Sequence, residues 1–305
     1  MKKFLFLFAL ALLVSVCSQS LAQTPGGPPN VALIVREDIK PGKMDSHSKH
    51  SASFAQIFSK ANVPAHRIAL VPVAGSENEV IYLTGAETFA ALEKMQQDTD
   101  KTLSGASGAT KAELDRLNKE APDLHAGMRD MLAVLRPELS YDAPADIPHM
   151  RYFAITTVRV RPGQDDVYGE YVRNLVNVAR NKAKAELHIA AYQVIAGTPS
   201  TTYMFFRPMK SLAEYDLRIG PRVREAMTDD QKKKADKMAG ESVVFSETSI
   251  YAIDPRMSYV SKNLADADPT FWNPKPEKPA MMMMKKHMKK PAAPKAAGTQ
   301  PPAKQ

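Results

Sequence analysis

"VRVRPGQDD", Val158 to Asp166, carries an alternating apolar run into a Pro-Gly turn and then into acidic residues that open a helix. "EDIKPGKMD", Glu37 to Asp45, makes the same transition 121 residues earlier. Two further pairs keep nearly the same offset. Ala74-Gly75 and Ala196-Gly197 are 122 apart, and "RPELSY" (136 to 141) precedes "DPRMSY" (254 to 259) by 118. Self-similarity at a fixed spacing means one structural unit used twice.

The hydrophobic period gives the order of elements within each copy. In the first, "NVALIVRE" alternates as a strand, and after the turn Met44, His47, Ser51, Phe54 and Phe58 recur at helical spacing. "RIALVPVAG" and "EVIYLTG" flank a Gly-Ser-Glu-Asn turn as a hairpin. A second helical region opens at "AETFAALEKMQQD" and continues through "KAELDRLNKEAPDLHAGMRD", and "MLAVLRPELSY" closes the copy as a strand. The second copy repeats the order with "RYFAITTVRV", a helix presenting Tyr168, Tyr171, Val172, Leu175, Val176 and Ala179 on one face, and the hairpin "HIAAYQVIAG" and "TTYMFFR". A helix from about Ser211, broken near Gly220-Pro221, then leads to "SVVFSETSIYAI".

The order βαββαβ is the ferredoxin-like split βαβ pattern, four antiparallel strands with helices on one face. The other face of each sheet is apolar and must be buried, and the sister copy offers a matching face. The expected fold class is therefore α+β, with two tandem ferredoxin-like units packed sheet to sheet in one chain. The expected boundaries are residues 30–141 for the first unit, 142–149 ("DAPADIPH") for the linker and 150–260 for the second.

On this repetition and element order, residues 30–260 resemble the dimeric α/β-barrel superfamily. It includes cofactor-free quinone-forming monooxygenases, stress-induced barrel proteins, and haem proteins such as chlorite dismutase and dye-decolourising peroxidases. The resemblance implies a pocket between each sheet and its helices. The helix of the second copy, Asp165 to Glu186, holds no histidine where the haem-binding relatives carry their iron ligand, so neither haem nor another cofactor is expected.

His47 and His50 lie on the first helix of copy one, and Tyr168 and Tyr171 occupy the corresponding positions of copy two. As a catalytic pair, His47 or His50 would serve as general base near neutral pH; alternatively they are solvated at the start of a helix. Tyr168, Tyr171, Tyr192, Tyr203 and Arg159 are the candidate ligand-binding residues, able to contact a flat apolar or phenolic molecule; the competing reading makes the tyrosines core. No metal site is expected in the folded units. No Gly-rich phosphate loop, G-x-S-x-G elbow or H-E-x-x-H occurs.

The chain begins with Lys2 and Lys3, an apolar run from Phe4 to Val16 and Ser20-Leu21-Ala22, so residues 1–22 are expected to be a signal peptide of a bacterial periplasmic or secreted protein. Its Cys17 is the sole cysteine, leaving the remainder without thiol or disulfide. The net charge of +8 suggests nucleic acid until it is located. Eight lysines against Glu277 in residues 275–305, together with Lys2 and Lys3, account for it, and 23–274 are close to neutral. Nucleic acid is therefore not an expected partner. Residues 261–305, rich in Pro, Ala, Lys and Met, are expected to be a disordered basic tail that meets anionic envelope polymers or lipids; Met281 to Met284, His287 and Met288 also offer soft ligands for Cu(I). Three functions are compatible with these residues: binding of a small apolar or aromatic molecule, cofactor-free oxygenation of a phenolic substrate, and an envelope scaffold.

Overall fold

The computed structural model of the chain describes residues 27–143 and 145–274. The expected signal peptide and the Met- and Lys-rich stretch from residue 275 lie outside the described residues. Among the described residues no helix is long and apolar enough to cross a membrane.

Eight strands form the frame: β1 (Val31–Ile39), β2 (Ile68–Ala74), β3 (Glu79–Ala86), β4 (His125–Leu135), β5 (Tyr152–Val160), β6 (Ala190–Ala196), β7 (Thr202–Met209) and β8 (Val243–Ile253). They are antiparallel and close into a barrel in the order β1-β3-β2-β8-β5-β7-β6-β4. Two seams join the halves of the chain, β2 to β8 and β4 to β6. The halves therefore meet through hydrogen-bonded ladders as well as through apolar faces.

Alternation along each strand decides what the barrel contains. Ile34, Ile81, Met131, Ile155, Met204 and Tyr251 point inward into one buried cluster. A polar cluster shares this interior. Glu79, buried on β3, accepts from Arg36 of β1 and from the hydroxyl of Tyr251 on β8, so the carboxylate is paired rather than stranded. The outward residues meet the helices: α1 (Met44–Ala61), α2 (Phe89–Ser104) and α3 (Gly108–Leu124) in the first half. In the second half they are α4 (Asp165–Glu170), a π-helical stretch (Tyr171–Asn177), α5 (Val178–Lys182), α6 (Ile219–Glu225) and α7 (Asp229–Ser242).

Three expectations need correction. The helical region of the first copy ends at Leu124, and "HAGMR" is already β4; Pro122 removes an amide in the last turn, and His125 takes an extended conformation. In the second copy the break expected near Gly220-Pro221 falls at Arg218, with φ of 48°, and Gly220-Pro221 themselves sit in the first turn of α6, where a missing amide costs nothing. What precedes it is a single 3-10 turn (Leu212–Tyr215) rather than a helix, and a second break at Thr228, whose capping box with Gln231 starts α7, was not expected. Finally, residues from 261 do not leave the fold at once. α8 (Lys262–Ala267) and α9 (Pro269–Trp272) cover one barrel end, where Trp272 is buried and its indole N–H donates to the Pro148 carbonyl at 2.9 Å. Asp268 pairs with Arg151, whose guanidinium lies 3.9 Å from the Phe271 ring centroid.

Candidate functional site

The outer sheet face under the first helix is built alike in the two halves and furnished differently. Strand pairing fixes the equivalence: Ile39 lies opposite His125 after a bulge in β1–β4, and Val160 lies opposite Val243 after a bulge in β5–β8. With the repeat offset, Glu37, His47 and His125 correspond to Val158, Tyr168 and Val243. Where one half presents a carboxylate and two imidazoles, the other presents two valines and a phenol.

In the first half, helical spacing puts His47, His50 and Ser51 on the buried face of α1. Glu37 Oε2 lies 2.6 Å from His47 Nε2 and 3.3 Å from His125 Nε2, and one donor atom from each of these three residues lies within 4.8 Å of the others. The two imidazoles meet edge to face with centroids 5.0 Å apart. His125 Nδ1 is 2.8 Å from the Ala121 carbonyl, and His50 Nε2 is 2.9 Å from that of Leu117. A carbonyl only accepts, so each of these nitrogens carries a proton. His47 is fully enclosed, and its Nδ1 has no hydrogen-bond partner. Tyr82 donates to Ser51 Oγ at 2.7 Å, and the Arg67 guanidinium lies 4.4 Å from the Tyr82 ring centroid. Burial acts to raise the Glu37 pKa, but the His47 hydrogen bond and the charges of His47, His125 and Arg67 outweigh it and hold the carboxyl below its usual range.

In the second half the same space is open. A cavity of about 580 Å³ lies between the outer faces of β5 and β7 and the helices, a size typical of small-molecule sites. Ala154, Thr156, Val158 and Phe205 form its floor, Tyr168, Tyr171, Val172, Val176 and Arg180 one wall, and Glu214, Tyr215, Arg218 and Ile219 the opposite wall. The π-helical stretch carries Tyr171, Val172 and Val176, so the wider winding lies against the cavity, as such segments often do at sites. Burial pushes the Tyr168 and Tyr171 hydroxyls above the ordinary phenol range, which leaves both protonated at neutral pH and able to donate.

Arg180 is the notable charge. Its guanidinium donates to Asn177 Oδ1 at 2.7 Å and lies 5.6 Å from the Tyr141 ring centroid. Burial lowers its pKa against the opposing pull of the Tyr171, Tyr168 and Tyr141 phenols, and among the described residues no ion pair joins it to a carboxylate. Arg207, by contrast, pairs with Glu214 at 3.2 Å, although its Nε is buried without a partner.

Of the residues singled out in the sequence, His47 and His50 are buried in the first half and neither lines the cavity. Tyr168 and Tyr171 line it. Tyr203 stands behind Tyr168, with centroids 5.4 Å apart, and donates to Asp165 at 2.8 Å; burial and this bond push its hydroxyl up to about 12. Tyr192 faces the barrel interior and donates to the Pro29 carbonyl, and Arg159 is exposed on β5 without lining the cavity. Glu37, His125, Arg180 and Arg207 were not among the candidates. Glu37 stood in the quoted turn, but nothing in the sequence paired it with His125.

No protein-family model matches the chain, and no curated protein matches it. Solved structures that resemble it include an anthrone oxidase-like protein, with 12% identity, TM-score 0.46 and coverage of 73% of this chain and 90% of that one. A proposed monooxygenase from Lactobacillus acidophilus NCFM gives 8% identity and TM-score 0.44 over 73% of this chain and 93% of its own. A chlorite dismutase variant from Candidatus Nitrospira defluvii, solved with cyanide, gives 9% identity and TM-score 0.45 over 75% and 92%.

Proposed function

We propose that the second half of the barrel binds a flat aromatic molecule bearing an acidic oxygen, such as an arenecarboxylate or a phenolate. The observation that carries this reading is Arg180, a cation with no carboxylate paired to it among the described residues, in the wall of a cavity that also presents aromatic rings, the Arg207–Glu214 pair and Arg218. Holding such a charge away from water is unfavourable until an anion completes it. Tyr168, Tyr171 and Phe205 supply ring contacts, and the protonated hydroxyls of the two tyrosines donate to the same anionic end. A cofactor-free oxygenase is the second reading, and it needs a general base beside the substrate. His47 and His50 do not border the cavity, and the cavity carboxylate, Glu214, is already paired with Arg207. Binding alone asks for no further group in this cavity, whereas oxygenation would need a base brought from elsewhere. The proposal extends to the chain as a whole: two tandem ferredoxin-like units, exported after loss of residues 1–22, with the basic tail directed to anionic envelope material.

Calorimetric titration of the full chain with 1-naphthoate and with neutral 1-naphthamide tests the site. The acid is expected to bind at least about tenfold tighter, the worth of one charge-assisted hydrogen bond, and Arg180→Gln is expected to erase the difference. Equal binding of acid and amide to the unsubstituted chain, or binding of neither, would overturn the assignment.

A further inference from the structure

We propose that Glu37, His47 and His125 form a mononuclear site for a divalent transition-metal ion of the Zn²⁺ or Fe²⁺ class, in the half of the molecule that does not hold the cavity. The proton inventory leads there. His125 Nδ1 must be N–H because the Ala121 carbonyl accepts from it at 2.8 Å, so in the neutral ring Nε2 is a bare lone pair. Glu37 Oε2 faces that nitrogen at 3.3 Å, so a cation bridges the two, either an imidazolium proton or a metal ion. His47 Nε2 lies 2.6 Å from the same oxygen and 3.4 Å from Ser51 Oγ, so its lone pair can turn to an ion held among the three side chains, with the proton on the enclosed Nδ1.

The geometry suits a metal. Ligand bonds of about 2.0 to 2.2 Å in a tetrahedral site place donor atoms roughly 3.3 Å apart. The Glu37–His125 separation is already 3.3 Å, and a modest side-chain movement opens the Glu37–His47 contact. The Ala121 carbonyl on His125 Nδ1 is the outer contact that orients metal-bound imidazoles and fixes their tautomer. Composition of the site narrows the ion. The nearby Arg67 charge, which already acts on Glu37, works against capture by net charge, so affinity must come from directional donation by two imidazoles. Such donors favour borderline transition metals over Ca²⁺ and Mg²⁺, which prefer all-oxygen sites. His47 is enclosed, whereas the side chains of His125 and Glu37 are 20% and 15% exposed, so an ion enters from their side and keeps a position open to solvent or an exogenous ligand. The second half cannot offer the site, because Val158, Tyr168 and Val243 stand at the equivalent points.

The full chain, stripped with a chelator and dialysed, is titrated with Co²⁺ as probe and followed by visible absorption. One Co²⁺ per chain with ligand-field bands is expected, and displacement of the bands by Zn²⁺. Glu37→Gln and His125→Gln are each expected to weaken binding at least tenfold, while His66→Gln, on the loop before β2, leaves it unchanged. In the Co²⁺-loaded unsubstituted chain, paramagnetically shifted imidazole protons from two histidines are expected, a readout that does not depend on any variant folding. No saturable uptake, or bands that persist at unchanged affinity in both ligand variants with no shifted imidazole signals, would overturn the proposal and leave a cluster held together by imidazolium protons alone.

Discussion

At the scale of single residues, the histidines of the first half differ in what burial does to them. His66 stacks on Tyr259 with centroids 4.9 Å apart, and burial lowers its pKa from 6.5. A histidine that is less basic folded than unfolded binds fewer protons in the native state, so stability rises with pH across this interval. Its contribution is fully present above about 6.5 and is lost as pH falls through the lower folded value; His50, lowered by burial as well, acts with the same sign. Urea midpoints measured at pH 7.5 and pH 5 are expected to fall on acidification, and to fall less in His66→Gln. A steeper fall in that variant would contradict the assignment. Glu37, held below the carboxylate range, acts in a separate and more acidic window. The site residues were legible in proportion to how local their signal is. His47 is found from helical spacing alone, because α1 is amphipathic. His125 sits in a stretch of good helix formers, and only Pro122 hinted that the helix was ending. Arg180 was passed over because an arginine about four turns along a helical stretch looks solvent-facing until that stretch is seated on its sheet.

Among the elements, the repeated Ala-Gly pairs turn out to mark the seams. Gly75 follows β2 with φ of 129°, and a Cβ built there would stand 2.5 Å from Ser249 Oγ on β8. Gly197 follows β6 with φ of 91°, and its Cβ would stand 2.0 Å from the Asp130 carbonyl oxygen on β4. Each half of the chain thus places a glycine against a strand of the other half. Both substitutions to alanine are strained by φ; rotating Ser249 Oγ away still leaves its Cβ 2.8 Å from the new methyl, but at Gly197 all the close atoms are β4 backbone, the nearest at 2.0 Å. Gly197→Ala is expected to cost more than about 2 kcal/mol in urea unfolding and Gly75→Ala less; the reverse order would mean that β4 yields more readily than the ladder implies. Strands were the most readable elements, since their alternation is strict and bounded by turns. Helix ends were the least, because the Arg218 break depends on a left-handed residue that no composition announces.

For the whole molecule, the apolar interior is continuous from β1 round to β4, and α9 covers one end of it. Trp272→Ala is expected to cost about 3 to 5 kcal/mol, the usual toll of removing a buried tryptophan, and to do so in a single transition followed alike by near- and far-ultraviolet dichroism. Two separated transitions would show that the halves unfold independently. The strands and their order along the chain were visible in the sequence; the folded status of 261–273 was not, because a lone Phe-Trp pair shows no period. The unequal furnishing of the two halves has one last consequence. A homodimer of single units would be bound by its twofold axis to present either two polar clusters or two open cavities. With both halves on one polypeptide that constraint lapses, and each flank can be altered without altering the other, so the proposed ligand and ion would share one ring of strands at a fixed ratio of one to one.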